Sequence, residues 1–243
     1  MPNMRYPERI VPDDEPPGIV ALHLKRYMFA QPHCVDKVVL DAACGTGYGS
    51  AELARVASSV LGVDAHEGAV AYARERYAGE NVAFEVMDVS SLRLGDMSVD
   101  VVVSFETIEH LDDREAFLCE VTRVLRPSGT FIVSTPAARC TTERPDNPFH
   151  RVEYSREDFI RLLRGHFAAV DLFGQRRVQT RRHRALQRLD VLGLRGRFAF
   201  VRRAGRLVGT APTEEVTLEG IVIERDRIDR ATELVAVSTG PRR

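Results

Sequence analysis

The chain has 243 residues, 44% of them hydrophobic and 28% charged, with a formal net charge of −1. This is the composition of an ordinary soluble globular protein and excludes a disordered or fibrous chain. No apolar run approaches the roughly 20 residues that a membrane span needs, and the opening Met-Pro-Asn-Met-Arg-Tyr-Pro-Glu-Arg has no apolar core of a signal peptide. The four cysteines, Cys34, Cys44, Cys119 and Cys140, form no Cys-x-x-Cys pair, which points away from a disulfide framework or a zinc site and toward a reducing cytoplasm.

In chain order, residues 1–17 are proline-rich and polar and read as an extended arm. Gly18 to Gln31 reads as an amphipathic helix stopped by Pro32, so residues 1–35 form an arm and a lid helix. The pattern then alternates. Strands are expected at 37–42, 59–64, 81–87, 99–105 and 130–135, and helices at 48–57, 66–78 and 113–126. The helix at 113–126 starts behind the capping pair Asp112-Asp113 and stops at Pro127-Ser-Gly129. A helix at 155–165 follows, capped by Ser155, then a strand at 167–173, an arginine-rich insertion at 176–232 and a final strand at 233–238. Alternating strand and helix implies one α/β domain over 1–243, a doubly wound, mainly parallel sheet with helices on both faces.

The most informative run is Val38-Val-Leu-Asp-Ala-Ala-Cys-Gly-Thr-Gly-Tyr-Gly49. Three apolar residues lead to Asp41, then a glycine-dense turn, then helix-forming sequence from Ser50. Glycine lets the backbone approach a ligand where a Cβ would collide. Ligands of such sheets bind outside the carboxyl ends of the strands, which here carry Asp41, Gly62-Val-Asp64, Met87-Asp88-Val89 and Phe105-Glu-Thr-Ile-Glu-His110. An acid after the second strand suits ribose hydroxyls. Asp88 suits an adenine amino group, with the Val89 N–H facing a ring nitrogen. A dinucleotide fingerprint would need a third glycine where Ser50 stands, and a pyrophosphate disfavours the carboxylate of Asp41. The ammonium of a sulfonium amino acid favours it. The bland alternatives are a structural turn at Gly45 and Gly47, a helix N-cap at Asp64 and a core aromatic at Phe105.

Leu40-Asp-Ala-Ala-Cys-Gly-Thr-Gly47, Gly62-Val-Asp64, Met87-Asp-Val89 and Arg123-Val-Leu-Arg-Pro-Ser-Gly-Thr130 resemble class I S-adenosylmethionine-dependent methyltransferases over roughly residues 37–175. The resemblance implies a Rossmann-like seven-stranded sheet whose last strand, here 233–238, is antiparallel. It implies S-adenosylmethionine held by Asp41, Ala43, Gly45, Gly47, Asp64, Ala65, Asp88, Val89 and Phe105.

Methyl transfer is an in-line displacement in which positioning supplies most of the catalysis. A hydroxyl acceptor must also lose its proton, to a histidine or with the help of a metal ion. Glu106-Thr-Ile-Glu-His110 is similar to the metal-binding segment of small-RNA 2′-O-methyltransferases and of O-methyltransferases in ubiquinone synthesis. Asn147-Pro-Phe-His-Arg-Val-Glu-Tyr-Ser155 looks comparable to the later histidine segment of the RNA enzymes. The resemblance implies Mg²⁺ or another divalent cation at Glu106, Glu109, His110 and His150. The competing reading has no metal and leaves His110 or His150 as general base. Of the other histidines (His23, His33, His66, His166, His183), only His23 stands apart, on the lid helix.

The arm Pro7-Glu-Arg-Ile-Val-Pro12 and the Asn-Pro-Phe-His-x-x-Glu-Tyr segment resemble methyltransferases of glycan and natural-product sugar pathways, which implies a sugar hydroxyl as acceptor. Residues 176–206 hold eleven arginines and one acid, Asp190, a formal +10. With only Phe198 and Phe200 for base stacking, nucleic acid is disfavoured as partner. Leu186, Leu189, Leu192, Leu194, Phe198 and Val201 fit amphipathic helices and an oligomer contact. The reading is therefore a cytoplasmic O-methyltransferase acting on a sugar or glycan. An RNA 2′-O-methyltransferase and a non-catalytic protein that binds S-adenosylmethionine are its rivals.

Overall fold

The computed structural model describes residues 10–178 and 217–242. The elements run α1 (Pro17–Cys34), β1 (Val38–Ala42), α2 (Tyr48–Ala54), β2 (Ser59–Asp64), α3 (Glu67–Tyr77), β3 (Val82–Val86), β4 (Val99–Phe105), α4 (Arg114–Val124), β5 (Leu125–Ala138), β6 (Tyr154–Ser155), α5 (Arg156–His166), β7 (Phe167–Arg177), β8 (Ile221–Glu224) and β9 (Glu233–Pro241). The expected alternation is present. Asp113 caps α4 by accepting from the Ala116 N–H, and Ser155 caps α5 by accepting from Asp158.

The sheet order is β3-β2-β1-β4-β5-β9-β7-β8. Strands β1 to β5 pair in parallel, and β9 is antiparallel to both β5 and β7. The order reverses between β1 and β4, so the crevice for a ligand opens at their carboxyl ends. The expected seven strands become nine among the described residues. The end of the 176–232 insertion supplies β8, which extends the edge by pairing with Gly174–Arg177. The two-residue β6 pairs with Ala137 and Ala138.

Alternate residues of each strand feed two cores, which is why the central strands read as unbroken apolar runs. Val39, Val101, Val103, Ile132 and Val235 pack under α1, α2 and α3. Leu40, Val102, Phe131, Val133 and Leu234 pack under α4 and α5, where Phe117, Leu118, Phe159 and Leu163 are fully buried.

Helix α1 does not stop at Pro32 but runs to Cys34. Proline costs a helix one hydrogen bond, here the one to the Met28 carbonyl. Met28 is on the exposed side, and only the last turn is affected. Of the arginine-rich stretch 176–206, only Arg176 and Arg177 fall within the described residues, and Arg176 pairs with Glu224 across β7 and β8. The apolar positions Leu186 to Val201 lie outside them. Among the described residues no helix is long and apolar enough to cross a membrane.

Candidate functional site

The turn after β1 carries the strain that its glycines predict. Gly45 and Gly47 have φ of +56° and +83°, and Ala43 shares the left-handed region at +64°. A Cβ on Gly47 would stand 2.6 Å from the Ala73 Cβ. One on Gly49 would stand 1.9 Å from Cζ of Tyr27, whose ring abuts the start of α2. These glycines therefore serve packing as well as any ligand. Asp41 lies beneath the turn and is 0% exposed. Ser50 donates to its Oδ2 at 2.6 Å, and the Tyr27 hydroxyl donates to its Oδ1 at 3.5 Å. Burial pushes the Asp41 carboxyl up to about 7, against the pull of those two hydrogen bonds. The position that lacks the third glycine thus holds a buried hydroxyl that donates to Asp41.

The other expected contacts line the same end of the sheet. Asp64 Oδ2 accepts from the Gly45 N–H at 3.0 Å, and its Oδ1 accepts from the His66 N–H at 2.9 Å. This acid therefore braces the glycine turn. The N-cap of α3 is His66, whose Nδ1 accepts from Ala69, and Asp64 does not take that role. Ala65 is exposed beside it. Asp88 is exposed and accepts from the Ser90 N–H, with Val89 buried next to it. Phe105 packs edge-on against Tyr27 with ring centroids 5.0 Å apart, within the core under α1.

Arg26 of α1 was not singled out by the sequence. It is 1% exposed. Its Nη1 donates to Gln175 Oε1 at 3.5 Å and its Nη2 to His23 Nδ1 at 2.9 Å. Its Nε has no hydrogen-bond partner among the described residues, and its charge acts on the Glu109 and Glu233 carboxylates. Burial, reinforced by the Arg26 charge, holds His23 well below the usual imidazole range, so His23 is a neutral acceptor. A lone arginine on a helix reads in sequence as a solvated side chain. Only the fold reveals that it is enclosed.

At the end of β4 the chain takes a left-handed step at Glu106, φ +51°, and then a 3₁₀ turn over Ile108–His110. Glu106 turns away toward β5, where Ser134 Oγ donates to its Oε1 at 2.6 Å. Glu109 points inward and is 0% exposed. Thr135 donates to its Oε2 at 3.0 Å, and its Oε1 has no hydrogen-bond partner among the described residues. Burial, and then the Glu106 charge, raise Glu109 well above the carboxylate range. His110 Nδ1 donates to the Phe149 carbonyl at 3.1 Å, which leaves the lone pair on Nε2, 4.0 Å from Glu109 Oε1.

The His150 ring lies 4.8 Å from that of His110. Its Nδ1 is 2.9 Å from Glu153 Oε1 and its Nε2 is 2.9 Å from Asn147 Nδ2. Glu109, His110 and His150 bring one donor atom each within 4.8 Å of one another. Of the four expected metal ligands, the fold therefore gathers three. Glu106, which accepts from Ser134, is not among them.

A model of the methyltransferase domain matches residues 40–133. A protein of Mycolicibacterium smegmatis, described as a probable S-adenosylmethionine-dependent methyltransferase, is 36% identical over 225 residues, covering 86% of this chain and 83% of that one. A protein of Mycobacterium tuberculosis with the same description is 43% identical over 163 residues, and the chain spans 58% of its length. Among solved structures, a SAM-dependent methyltransferase of Thermotoga maritima superposes with a TM-score of 0.60 at 16% identity, covering 91% of this chain and 92% of that one.

Proposed function

The chain belongs to the S-adenosylmethionine-dependent methyltransferases, and on that footing we propose that it methylates a hydroxyl oxygen of a sugar or glycan. The observation that carries this reading is the Glu109, His110 and His150 cluster at the carboxyl end of β4, on the same rim as the glycine turn. Asp64 holds the ribose, Asp88 and Val89 the adenine. Asp41 balances the donor's ammonium. Arg26, a buried cation whose Nε has no hydrogen-bond partner among the described residues, meets its carboxylate.

The donor supplies an activated methyl carbon. The acceptor oxygen bonds to that carbon as the carbon–sulfur bond breaks, and S-adenosylhomocysteine leaves. The hydroxyl proton passes to Nε2 of His110. The resulting imidazolium is stabilised by the hydrogen bond from Nδ1 to the Phe149 carbonyl. The sugar acceptor is supported by the resemblance of the Pro7–Pro12 arm and the Asn147–Ser155 segment to sugar methyltransferases. The polar rim at Asn147 and Glu153 adds to that support.

A second reading is favoured by the convergence of one carboxylate and two imidazoles within 4.8 Å. In it, Glu109, His110 and His150 hold a divalent cation, which when bound would acidify the acceptor hydroxyl. The donor set fits Mg²⁺ poorly and a transition metal better, since two of three ligands are imidazoles.

The test is incubation of the full chain with methyl-labelled S-adenosylmethionine and fractionated extract. Label in glycan or glycosylated metabolite is expected. Label confined to RNA overturns the sugar reading. With an acceptor in hand, His110→Ala should lower kcat by about 10²–10⁴-fold. Activity that survives exhaustive EDTA leaves the proton-acceptor reading standing and removes the metal.

A further inference from the structure

We propose that Glu115, Cys119 and His166 form a separate metal site, selective for zinc or a similarly borderline divalent ion. Glu115 and Cys119 are four residues apart on α4, which places them on one face of that helix. His166 ends α5, and its Nε2 is 3.2 Å from Glu115 Oε2. One donor atom from each of the three lies within 4.8 Å of the others. Cys119 is exposed, so an ion reaches its sulfur without opening the core. Cys119 and His166 border a cleft of about 490 Å³ together with Asp96, Met97, Arg123 and Arg242. That cleft lies where β4 begins and β9 ends, the opposite end of the sheet from the glycine turn.

The donor chemistry selects the ion. A thiolate, an imidazole and a carboxylate suit zinc and discriminate against Mg²⁺ and Ca²⁺, which take oxygen ligands. Three protein ligands leave a fourth, tetrahedral position to water on the cleft side. As the metal bonds form, the Cys119 thiol gives its proton to solvent, and so does His166 Nε2, which gives up the proton it directs at Glu115. Cysteine spacing argues against a zinc site because it registers only ligands close in sequence. Here the ligands are 4 and 47 positions apart and are joined by α4 and α5 lying side by side. The ion would tie together two helices that begin just after the loops bearing His110 and His150.

The full chain, stripped with chelator, is titrated with Co²⁺ as a spectroscopic substitute for zinc. Expected is a near-ultraviolet thiolate-to-cobalt charge-transfer band that saturates stoichiometrically and is displaced by Zn²⁺. Cys119→Ser should abolish that band, Glu115→Gln should weaken Co²⁺ binding by about tenfold or more, and Glu109→Gln should leave the band intact. No band in the unaltered chain, or a band that survives Cys119→Ser, overturns the proposal. A band lost in Glu109→Gln also overturns it. Because the Glu109 cluster contains no sulfur, metal binding there gives no such band, so the two sites fail or succeed separately.

Discussion

Asp41 shows how one buried carboxyl links stability to ligand binding. Its value in the fold, about 7, lies above the ordinary 3.8 because burial outweighs the hydrogen bonds from Ser50 and Tyr27. The folded protein holds this proton more tightly than the unfolded chain does. Its contribution to stability is therefore largest at low pH and declines as pH rises between about 4 and 7. A ligand ammonium reverses the preference by favouring the ionised form. Binding of S-adenosylmethionine is expected to release a proton below about pH 7 and to tighten as pH rises through that value. Calorimetry in buffers of different ionisation heat measures the proton release, and Asp41→Asn should flatten the dependence. At Gly47 the left-handed backbone and the 2.6 Å approach to Ala73 both oppose a side chain. Gly47→Ala should cost on the order of 1–3 kcal/mol in thermal unfolding. Both positions were legible in sequence, because a strand, an acid and a glycine turn lie within a dozen residues. The pairing of Ser50 with Asp41 was not, since a hydroxyl at a helix start has several other uses.

Among the elements, α1 carries the largest surprise. It was expected as a lid, and it brings Tyr27 to Asp41 and encloses Arg26 between His23 and Gln175. A buried guanidinium is costly to desolvate, while a hydrogen bond to a charged ligand is worth about 1.5–3 kcal/mol. Arg26→Met should therefore weaken donor binding by roughly 10–100-fold while leaving the unliganded protein as stable or more so. Parallel calorimetry and denaturant titration check the pair of outcomes, and an equal loss in both would refute the role. The 3₁₀ turn after β4 is the second decisive element. In sequence, Glu106 and Glu109 looked equivalent as ligands. The left-handed step at Glu106 sends one to Ser134 and the other to the histidines.

Across the whole molecule, the edge strand β8 and helix α1 close the sheet on one side. Ile221 of β8 is buried against Ala21 and Leu22 of α1. Helix α1 is thus tied to a strand some 200 positions away in the chain. Ile221→Ala should cost about 2–5 kcal/mol and should loosen α1, which limited proteolysis at α1 would report. A variant that loses stability but keeps α1 protected would show that α2 contacts alone hold α1. This closure was out of reach for sequence reading. Ile221-Val-Ile-Glu224 is a short apolar run that periodicity cannot assign to an edge strand.

By itself the sequence determined the alternation of strands and helices, the two apolar faces of the central strands and the acids at the strands' carboxyl ends. Each of these is written in local pattern: period, turn residues, and an acid at the end of a strand. The tertiary structure alone decided which distant side chains meet. His150 reaches His110 from 40 positions on, Gln175 reaches Arg26 from 149, and His166 reaches Cys119 from 47. The reason is physical: a helix or strand constrains neighbours a few residues apart, whereas convergence of distant side chains is set only when the layers pack.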